Sequence, residues 1–463
     1  MSLLQITDNH DWKDYKSFFI DETEAECHLP NLQKIADINI KELSLDDNPN
    51  LLIFPRDLNH HGDKIGDNCI ISLNHRNEIS TSNMMGFVGI NETQIDIKSR
   101  FAKEDREDYF LHYMLEKVFS INLFDMKHSS SKEQIFDFLI YLFPYFLKKA
   151  LAQGLFKKYR RYEHNNANVK GPINISRHIK ENIPFRGTIS YSTREHSYDN
   201  EITQLIRHTI EFIRTKKNSS HILNIDNETK ECVNQIIMAT SSYNLRERDK
   251  IISKNLRPMQ HPYYSEYSIL QKICLQILRH ESIKFGQEKD KVYGILFDGA
   301  WLWEEYLNTI LSRSGFKHPQ NKNSKGGFPM FVNEKDNDEL DNNSRRLYPD
   351  FYKEDFIIDA KYKHLEKGVG REDLYQVVTY MYCKKAKKGA YIYPCKDENI
   401  KSMEHKLSGY GGNIFIVPFL IPQSSENYNC FRDEIFESEN GLYSFIKSKS
   451  TSISFKRGSV FSR

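Results

Sequence analysis

The spacing of apolar residues changes along the chain and predicts a multidomain fold of the α+β or α/β class, in three parts. In residues 1–107, short apolar or alternating runs separated by Asn and Gly predict a β-rich module. In residues 108–283, apolar residues recur at intervals of three and four, which indicates a mainly helical region. Residues 284–463 combine helical stretches with short apolar runs. The strands predicted in the first part are Leu51–Phe54, Ile70–Leu73, Met85–Ile90 and Gln94–Lys98.

The stretch from Tyr348 to Lys363 carries the clearest chemistry. Two apolar runs flank the polar residues Lys353-Glu354-Asp355, which predicts a β-hairpin with a three-residue connection. Because strand side chains alternate faces, Asp359 and Lys361 point the same way, and pairing of the strands can bring Asp350 near them. Two carboxylates and an ammonium on one face are costly to bury, and a divalent cation relieves that cost. A surface salt-bridge cluster is the alternative, although Phe356-Ile357-Ile358 is typical of a buried central strand.

Two predicted helices flank this hairpin. On the helix Ala300–Leu311, Glu304 shares a stripe with Leu307 and leans toward the core, whereas Glu305 faces solvent. Glu304 can serve a metal or reach solvent at the helix edge, and Asp298 can cap the same helix.

The second helix contains Gln376 and Tyr380, which share a face because they lie four residues apart. The two side chains can fix the active-site strand, contact DNA, or satisfy buried polar groups.

In order and spacing, these elements resemble a known nuclease superfamily. Pro349-Asp350 followed by Asp359-Ala360-Lys361 is similar to the PD-(D/E)XK signature, and Gln376 with Tyr380 is similar to the Gln-x-x-x-Tyr element of one subgroup. Together with the leading helix after Phe297 and the strand Gly389–Pro394, the set resembles McrC. McrC proteins, including the longer LlaJI-like members, are the nuclease subunits of McrBC-type restriction systems.

The resemblance implies a restriction-endonuclease-like domain over residues 284–463, with a central mixed sheet flanked by helices. It implies that Asp350 and Asp359 bind Mg²⁺ or Mn²⁺, with the Ala360 backbone carbonyl as a third ligand and Glu304 as a further candidate. Lys361 would orient or deprotonate the attacking water, or stabilise charge on the phosphate. The expected activity is cleavage of double-stranded DNA in phage defence, activated by a McrB-like AAA+ GTPase.

Two segments of the middle region are candidates for binding. The run Phe156–Tyr162 interleaves basic and aromatic residues and predicts either a phosphate-contacting stripe or a solvated helix face. The segment Asn168–Ile179 is similar to one that leads, in McrC-like proteins, into a projection toward the partner, although Pro172 stands where relatives often carry Arg. The candidate DNA contacts are Lys157, Lys158, Arg160, Arg161 and Lys363, and the candidate docking residues are Lys170, Gly171 and Arg177.

Composition narrows the possible partners and location. With 65 basic and 63 acidic residues the net charge is +2, so a DNA-binding surface has to be a local patch. The 7 cysteines form no C-x-x-C pair, which fits a reduced cytoplasm and argues against a zinc ribbon. We expect no signal peptide and no membrane span.

The chain lacks a Walker-type nucleotide motif, so any motor must be another chain. Two other functions stay open: an adaptor that stimulates the motor while its nuclease site is silent, and a nuclease that acts without a motor.

Overall fold

The computed structural model of the chain describes residues 2–19, 22–43, 48, 51–55, 65–103, 107–119, 131–216, 220–284, 291–319, 326–331, 345–409 and 411–450. The chain divides into two compact units. One comprises residues Met1–Ser120 together with Asp290–Arg463, and the other comprises residues Ile121–Lys289.

The N-terminal part of the first unit is rich in strands. Its elements are β1 (Ser2–Thr7), β2 (Lys13–Asp14), α1 (Glu22–Gln33), α2 (Ile40–Leu43), β3 (Leu51–Phe54), β4 (Ile71–Leu73), β5 (Glu78–Thr81), β6 (Met84–Ile90), β7 (Thr93–Lys98) and α3 (Tyr109–Phe119). The four predicted strands are confirmed as β3, β4, β6 and β7, within one residue at each end. The structure adds β1, α1 and α2 in a segment whose weak apolar pattern indicated no element.

The C-terminal part of the same unit contains β10 (Val292–Asp298), α10 (Gly299–Leu311), β11 (Phe328–Pro329), β12 (Arg346–Leu347), β13 (Phe351–Lys353), β14 (Phe356–Ala360), α11 (Arg371–Lys384), β15 (Lys388–Cys395), β16 (Met403–Lys406), β17 (Asn413–Leu420) and α12 (Tyr428–Ser450). Most of the polar loop predicted between 318 and 346 lies outside the described residues.

Strand β10 joins the N-terminal sheet, whose order is β1-β7-β6-β10-β3. It pairs antiparallel with β6 and parallel with β3, and its Leu296 packs in one apolar core with Leu4, Val88 and Ile95. The division predicted from the sequence separates residues 1–107 from 284–463. In the structure the two ranges share this sheet, because the strand that completes it comes from the C-terminal part.

A second, mixed sheet confirms the predicted α+β architecture of the C-terminal part. Its order is β13-β14-β15-β17-β16, with β14, β15 and β17 mutually parallel and the two outer strands antiparallel. Helix α11 connects β14 to β15, as a parallel pair requires, and packs on both strands. Helix α10 packs on the sheet through Trp303, whose indole Nε1 donates to the Ile392 carbonyl at 3.4 Å.

The predicted hairpin is present, but its connection is shorter than predicted. Strand pairing extends to Lys353 opposite Phe356, so only Glu354 and Asp355 connect the strands. Glu354 takes up the reversal with a φ of 44°, in the left-handed region. The polar character of Lys353 predicts a turn residue. In the structure it lies in a strand at the sheet edge, where a charged side chain is tolerated.

The second unit is mainly helical and contains one long β-hairpin. Its elements are α4 (Ser131–Ala152), β8 (Lys158–Asn166), α5 (Ile175–Glu181), β9 (Ile189–Ser197), α6 (Glu201–Thr215), α7 (Asn227–Ala239), α8 (Arg248–Lys254) and α9 (Ser265–Lys284). Asn200 caps α6 as predicted, accepting from the backbone N–H groups of Ile202 and Thr203. The helix-face interpretation of Phe156–Tyr162 is wrong, because β8 pairs with β9 along its whole length.

In the part of the chain that the structure describes, we find no helix with the length and apolar character needed to cross a bilayer.

Candidate functional site

The hairpin brings the two predicted carboxylates side by side. Phe351 pairs with Ile358, so Asp350, at the start of β13, lies opposite Asp359 near the end of β14. One oxygen of Asp350, Oδ2, accepts a hydrogen bond of 2.7 Å from the backbone N–H of Ala360. The register therefore places Asp350 next to the residues at the end of β14, as strand alternation predicted.

Asp359 is fully buried at the centre of this site. Neither of its carboxylate oxygens accepts a hydrogen bond of ordinary geometry, although Lys361 Nζ lies 2.9 Å from Oδ2. Burial, reinforced by the neighbouring charge of Asp350, raises the pKa of Asp359 to about 7. A buried carboxylate is costly in its charged form, and the ion-pair contact with Lys361 offsets part of that cost.

Lys361 lies among acceptor groups on three residues. Besides Asp359, its Nζ is 3.4 Å from Oδ1 of Asp373 and 3.4 Å from Oε1 of Gln376. Burial alone would lower the pKa of Lys361, but the charges of Asp359 and Asp350 outweigh it and raise the pKa. Lys361 therefore stays charged at neutral pH, whereas Asp359, whose pKa is raised by burial and by the charge of Asp350, titrates near neutrality.

Gln376 and Tyr380 share one face of α11, as their spacing predicted. The Gln376 Nε2 donates to the Tyr380 hydroxyl at 3.0 Å, which leaves the amide oxygen directed at Lys361. Burial raises the pKa of Tyr380 to about 12, so its hydroxyl is protonated at neutral pH. The pair thus links α11 to the end of β14, and its functional role stays a prediction.

The oxygen atoms at this site are of the kind that a hard divalent cation prefers as ligands. Asp350 and Asp359 offer carboxylate oxygens, and the backbone carbonyl of Ala360 follows directly on the strand. Among the described residues, no group of three or more His, Cys, Asp or Glu side chains is arranged to hold a metal ion. Glu304 is half-buried on α10, which packs on β14, and its role as an additional ligand stays a prediction.

His318 contacts both Asp350 and Glu305, and the sequence pattern predicts neither contact. The His318 ring stacks on Phe351 with a centroid distance of 4.7 Å, and its Nδ1 is 2.7 Å from the Asp350 carbonyl oxygen. The carboxylate of Glu305 lies 3.9 Å from His318 Nε2, so Glu305 is half-buried instead of solvated. His318 opens a long polar segment, and nothing in its local pattern indicates this contact.

Asp373 is the other site residue that the sequence analysis missed. It lies in the first turn of α11, where its carboxylate contacts Lys361 and also pairs with Lys363 at 2.6 Å. Lys363, a predicted DNA contact, is half-exposed and carries this ion pair. The signal that could have identified Asp373 is its position three residues before Gln376, on the same helix face.

The predicted DNA contacts of the second unit lie on the β8–β9 ribbon or beside it. Lys157 lies over the Tyr198 ring at 5.0 Å, and Lys158 forms an ion pair with Glu201. Arg161 is exposed directly opposite Arg194. The Arg160 side chain lies outside the described residues. These side chains are in a different compact unit from the Asp359 site.

The three predicted docking residues lie near the ribbon and differ in character. Lys170 is exposed. A Cβ on Gly171 would lie 2.2 Å from the Ser192 carbonyl oxygen, so glycine there permits close backbone approach. The Arg177 guanidinium pairs with Glu181 at 2.9 Å and Glu163 at 3.1 Å, so its charge is compensated within the unit.

Comparison with known proteins identifies one family. The family described as McrBC 5-methylcytosine restriction system component matches residues 79–394. Two solved structures from Thermococcus gammatolerans are similar at 15% identity. One is a half-complex of McrB AAA+ hexamers with bound McrC, covering 95% of this chain and 100% of that chain with a TM-score of 0.47. The other is the McrBC complex, covering 68% and 89% with a TM-score of 0.34. A comparison with curated proteins found no match.

Proposed function

This chain belongs to the family of McrBC 5-methylcytosine restriction system components, and from that premise we propose that it is the endonuclease subunit of such a system. The reaction is hydrolysis of phosphodiester bonds in double-stranded DNA. The observation that carries the proposal is the buried Asp359 carboxylate, unsatisfied and adjacent to Asp350 and Lys361. This arrangement supports a PD-(D/E)XK nuclease site with Mg²⁺ or Mn²⁺ as its cofactor.

Asp350, Asp359 and the Ala360 carbonyl would hold the metal ion. When bound, a divalent cation supplies charge relief at the phosphate and a nucleophilic water at neutral pH. The hydrogen bond from Ala360 N to Asp350 Oδ2 fixes this carboxylate beside the end of β14. Burial of Asp359 excludes water from the second carboxylate.

Lys361 contributes a charged donor at the edge of this site. Its side chain is 18% exposed, so the ammonium is close enough to solvent to meet a DNA phosphate. Because the neighbouring carboxylates raise its pKa, Lys361 is protonated and would orient the attacking water or stabilise phosphate charge. Gln376 holds the ammonium from the helix side.

We further propose that the chain works with an AAA+ GTPase of McrB type. Large apolar side chains are exposed on the segment between β8 and β9, and this apolar patch consists of Val169, Ile173, Ile175, Ile179, Ile183 and Phe185. Exposed apolar residues concentrated on one segment mark a surface for another protein. The chain has no nucleotide motif of its own, which supports a motor on a separate chain.

The test is cleavage of duplex DNA by the full chain with its AAA+ partner, in Mg²⁺. Asp359→Ala should abolish cleavage and leave stimulation of the partner's GTPase intact, since the patch is in the other unit. The matched control is Asp433→Ala, which removes an exposed carboxylate from α12. An Asp359→Ala complex that cuts at the wild-type rate would refute the site. A wild-type chain that stimulates the motor and never cuts would instead favour the adaptor function.

A further inference from the structure

Lys361 has as many acceptor residues as its ammonium has hydrogens. One acceptor, Asp359, is on its own strand at 2.9 Å, and the other two, Asp373 and Gln376, are on α11 at 3.4 Å. The contact with Gln376 is a hydrogen bond, and the contacts with the two carboxylates are ion pairs. Two of the three partners therefore come from the helix that follows the catalytic strand.

Asp373 is firmly placed to act on Lys361. It is three residues before Gln376, so both side chains leave α11 on the same face. Its backbone carbonyl accepts a hydrogen bond of 2.7 Å from the hydroxyl of Tyr391, and Tyr391 pairs with Asp359 in the parallel register of β14 and β15. The first turn of α11 is thus bound to the sheet next to the site. A helix N-terminus also favours a negative side chain.

The contribution of each partner to holding the Lys361 ammonium would change if a cation bound at the site. The Asp359 oxygens that now face Lys361 are the same ones that would bind the metal, so the ammonium and the ion compete for them. If an ion took up the Asp359 oxygens, Lys361 would retain Asp373 and Gln376 as partners, and of these two Asp373 carries charge. A charged partner outside the ligand set keeps the ammonium in place and lowers its competition with the ion.

We propose that Asp373 is a positioning residue that holds the Lys361 ammonium beside the reacting centre and draws it away from Asp359 when metal binds. This inference rests on the proposed nuclease function. Asp373 would act through Lys361, which its carboxylate contacts at 3.4 Å.

The alternative role for Asp373 is to form an ion pair with Lys363 alone. This contact is the shorter of the two, at 2.6 Å. Lys363 is half-exposed, and ion pairs in such positions contribute little because water screens them. If this were the purpose of Asp373, removal of Lys363 would have the same effect as removal of Asp373. The two roles therefore make different predictions for two single variants.

The experiment compares full-length wild type with Asp373→Asn, Lys363→Met and a matched control, Glu372→Gln, which removes the adjacent exposed carboxylate of the same helix turn. Two quantities are measured: Mn²⁺ affinity by calorimetry without DNA, and the cleavage rate as a function of duplex DNA concentration. For Asp373→Asn we expect Mn²⁺ affinity to fall several-fold and the rate at saturating DNA to fall about 10- to 100-fold, the usual cost of losing a group that orients a metal site. The half-saturating DNA concentration should stay within about twofold of wild type.

Lys363→Met should leave Mn²⁺ affinity near wild type even if it weakens DNA binding, and Glu372→Gln should leave all three quantities unchanged. Asp373→Ser, which also removes the carboxylate but suits a first helical turn, is assessed by the same criteria if the Asn variant is unstable. A saturating rate within twofold of wild type for a folded Asp373 variant would overturn the positioning role, as would an equal loss of Mn²⁺ affinity in Lys363→Met. A wild-type chain that neither binds Mn²⁺ nor cuts DNA would overturn the proposed function itself.

Discussion

At the scale of single residues, the buried acid Asp359 determines how the site responds to pH. Its pKa of about 7 in the folded chain exceeds the ordinary value near 3.8, so the folded state binds this proton more tightly than the unfolded state. The metal-free protein is therefore stabilised by the protonated acid at low pH and loses that stability as pH rises from about 4 to 7. A cation that binds the ionised form of Asp359 would restore the stability of the folded protein above pH 7.

From this titration we predict that Mn²⁺ binding is linked to proton release. Below pH 7 the ion has to displace a proton from Asp359, so the apparent affinity should fall about tenfold per pH unit, with release of nearly one proton at pH 6. Calorimetry in two buffers of different ionisation enthalpy measures the proton count, and pH 8.5, where release should vanish, is the control. An affinity independent of pH between 5.5 and 7 would contradict the assignment of Asp359 as a ligand.

Lys361 offers a second test at this scale. Arg keeps the positive charge, but its planar fork is bulkier than the ammonium that contacts Asp359, Asp373 and Gln376, and it does not give up a proton. We expect Lys361→Arg to lose most cleavage activity and to retain Mn²⁺ binding. Near-wild-type cleavage by this variant would mean that Lys361 acts only through its charge. Calorimetry alongside the cleavage assay verifies that the hairpin is undisturbed.

The sequence predicted those site contacts that depend on local periodicity. Alternation along β14 placed Asp359 and Lys361 on one face, and the spacing of four placed Gln376 beside Tyr380. It did not predict Asp373 near Lys361 or His318 under Asp350. The position of Asp373 depends on the path of segment 364–370, which places the start of α11 against the sheet. The position of His318 depends on the path of the residues after α10. Neither segment has a periodic sequence pattern that predicts its path.

At the scale of elements, the β8–β9 ribbon shows how a charged pattern can mislead. Runs of basic residues with interspersed tyrosines fit a solvated helix face, yet Tyr159 pairs with His196 and Arg161 with Arg194 across two strands. Pairing with β9, whose residues lie 23 to 39 positions further along the chain than their partners in β8, decided the structure, and local propensity did not reveal it. The same ribbon leads into α5, whose isoleucines are exposed and belong to the apolar patch.

The apolar patch gives a prediction about partner binding. Ile175 and Ile179 are 68% and 54% exposed on α5, so a charged residue at each position should leave the fold intact. We expect Ile175→Asp with Ile179→Asp to lower stimulation of the AAA+ GTPase at least tenfold, because the charge has to be desolvated in the complex. Ile225→Asp, at an exposed isoleucine outside the patch, is the control. Unchanged stimulation by the double variant would refute docking through α5.

At the scale of the whole molecule, the shared sheet decides which fragments can exist. Among the described residues, β10 is the one strand that pairs with β3, and it continues directly into α10. The sequence predicted strands at β3 and β6, but their pairing with a strand some 200 residues later is a long-range property. Helix α3, placed in the middle region by its periodicity, likewise packs on α10 in the first unit.

It follows that a fragment of residues 284–463 should not fold stably. Without residues 1–107, β10 loses both neighbours and its apolar side chains, Leu296 among them, are exposed. We expect this fragment to aggregate or to lack a cooperative thermal transition by circular dichroism, whereas the full chain unfolds cooperatively. A soluble, cooperatively folded fragment would show that β10 does not need the N-terminal sheet.

The position of β10 in the chain also determines when the N-terminal sheet can be completed during translation. Translation proceeds at about 5–20 residues per second, so β10 leaves the ribosome roughly 10–40 s after β6. During that interval β6 presents an unpaired apolar edge and β3 has no neighbour in its sheet. Open strand edges of this kind are sites of aggregation. We therefore expect the nascent chain to need a bound chaperone while the second unit is synthesised. Slow translation of residues 121–289 should lower the yield of native protein.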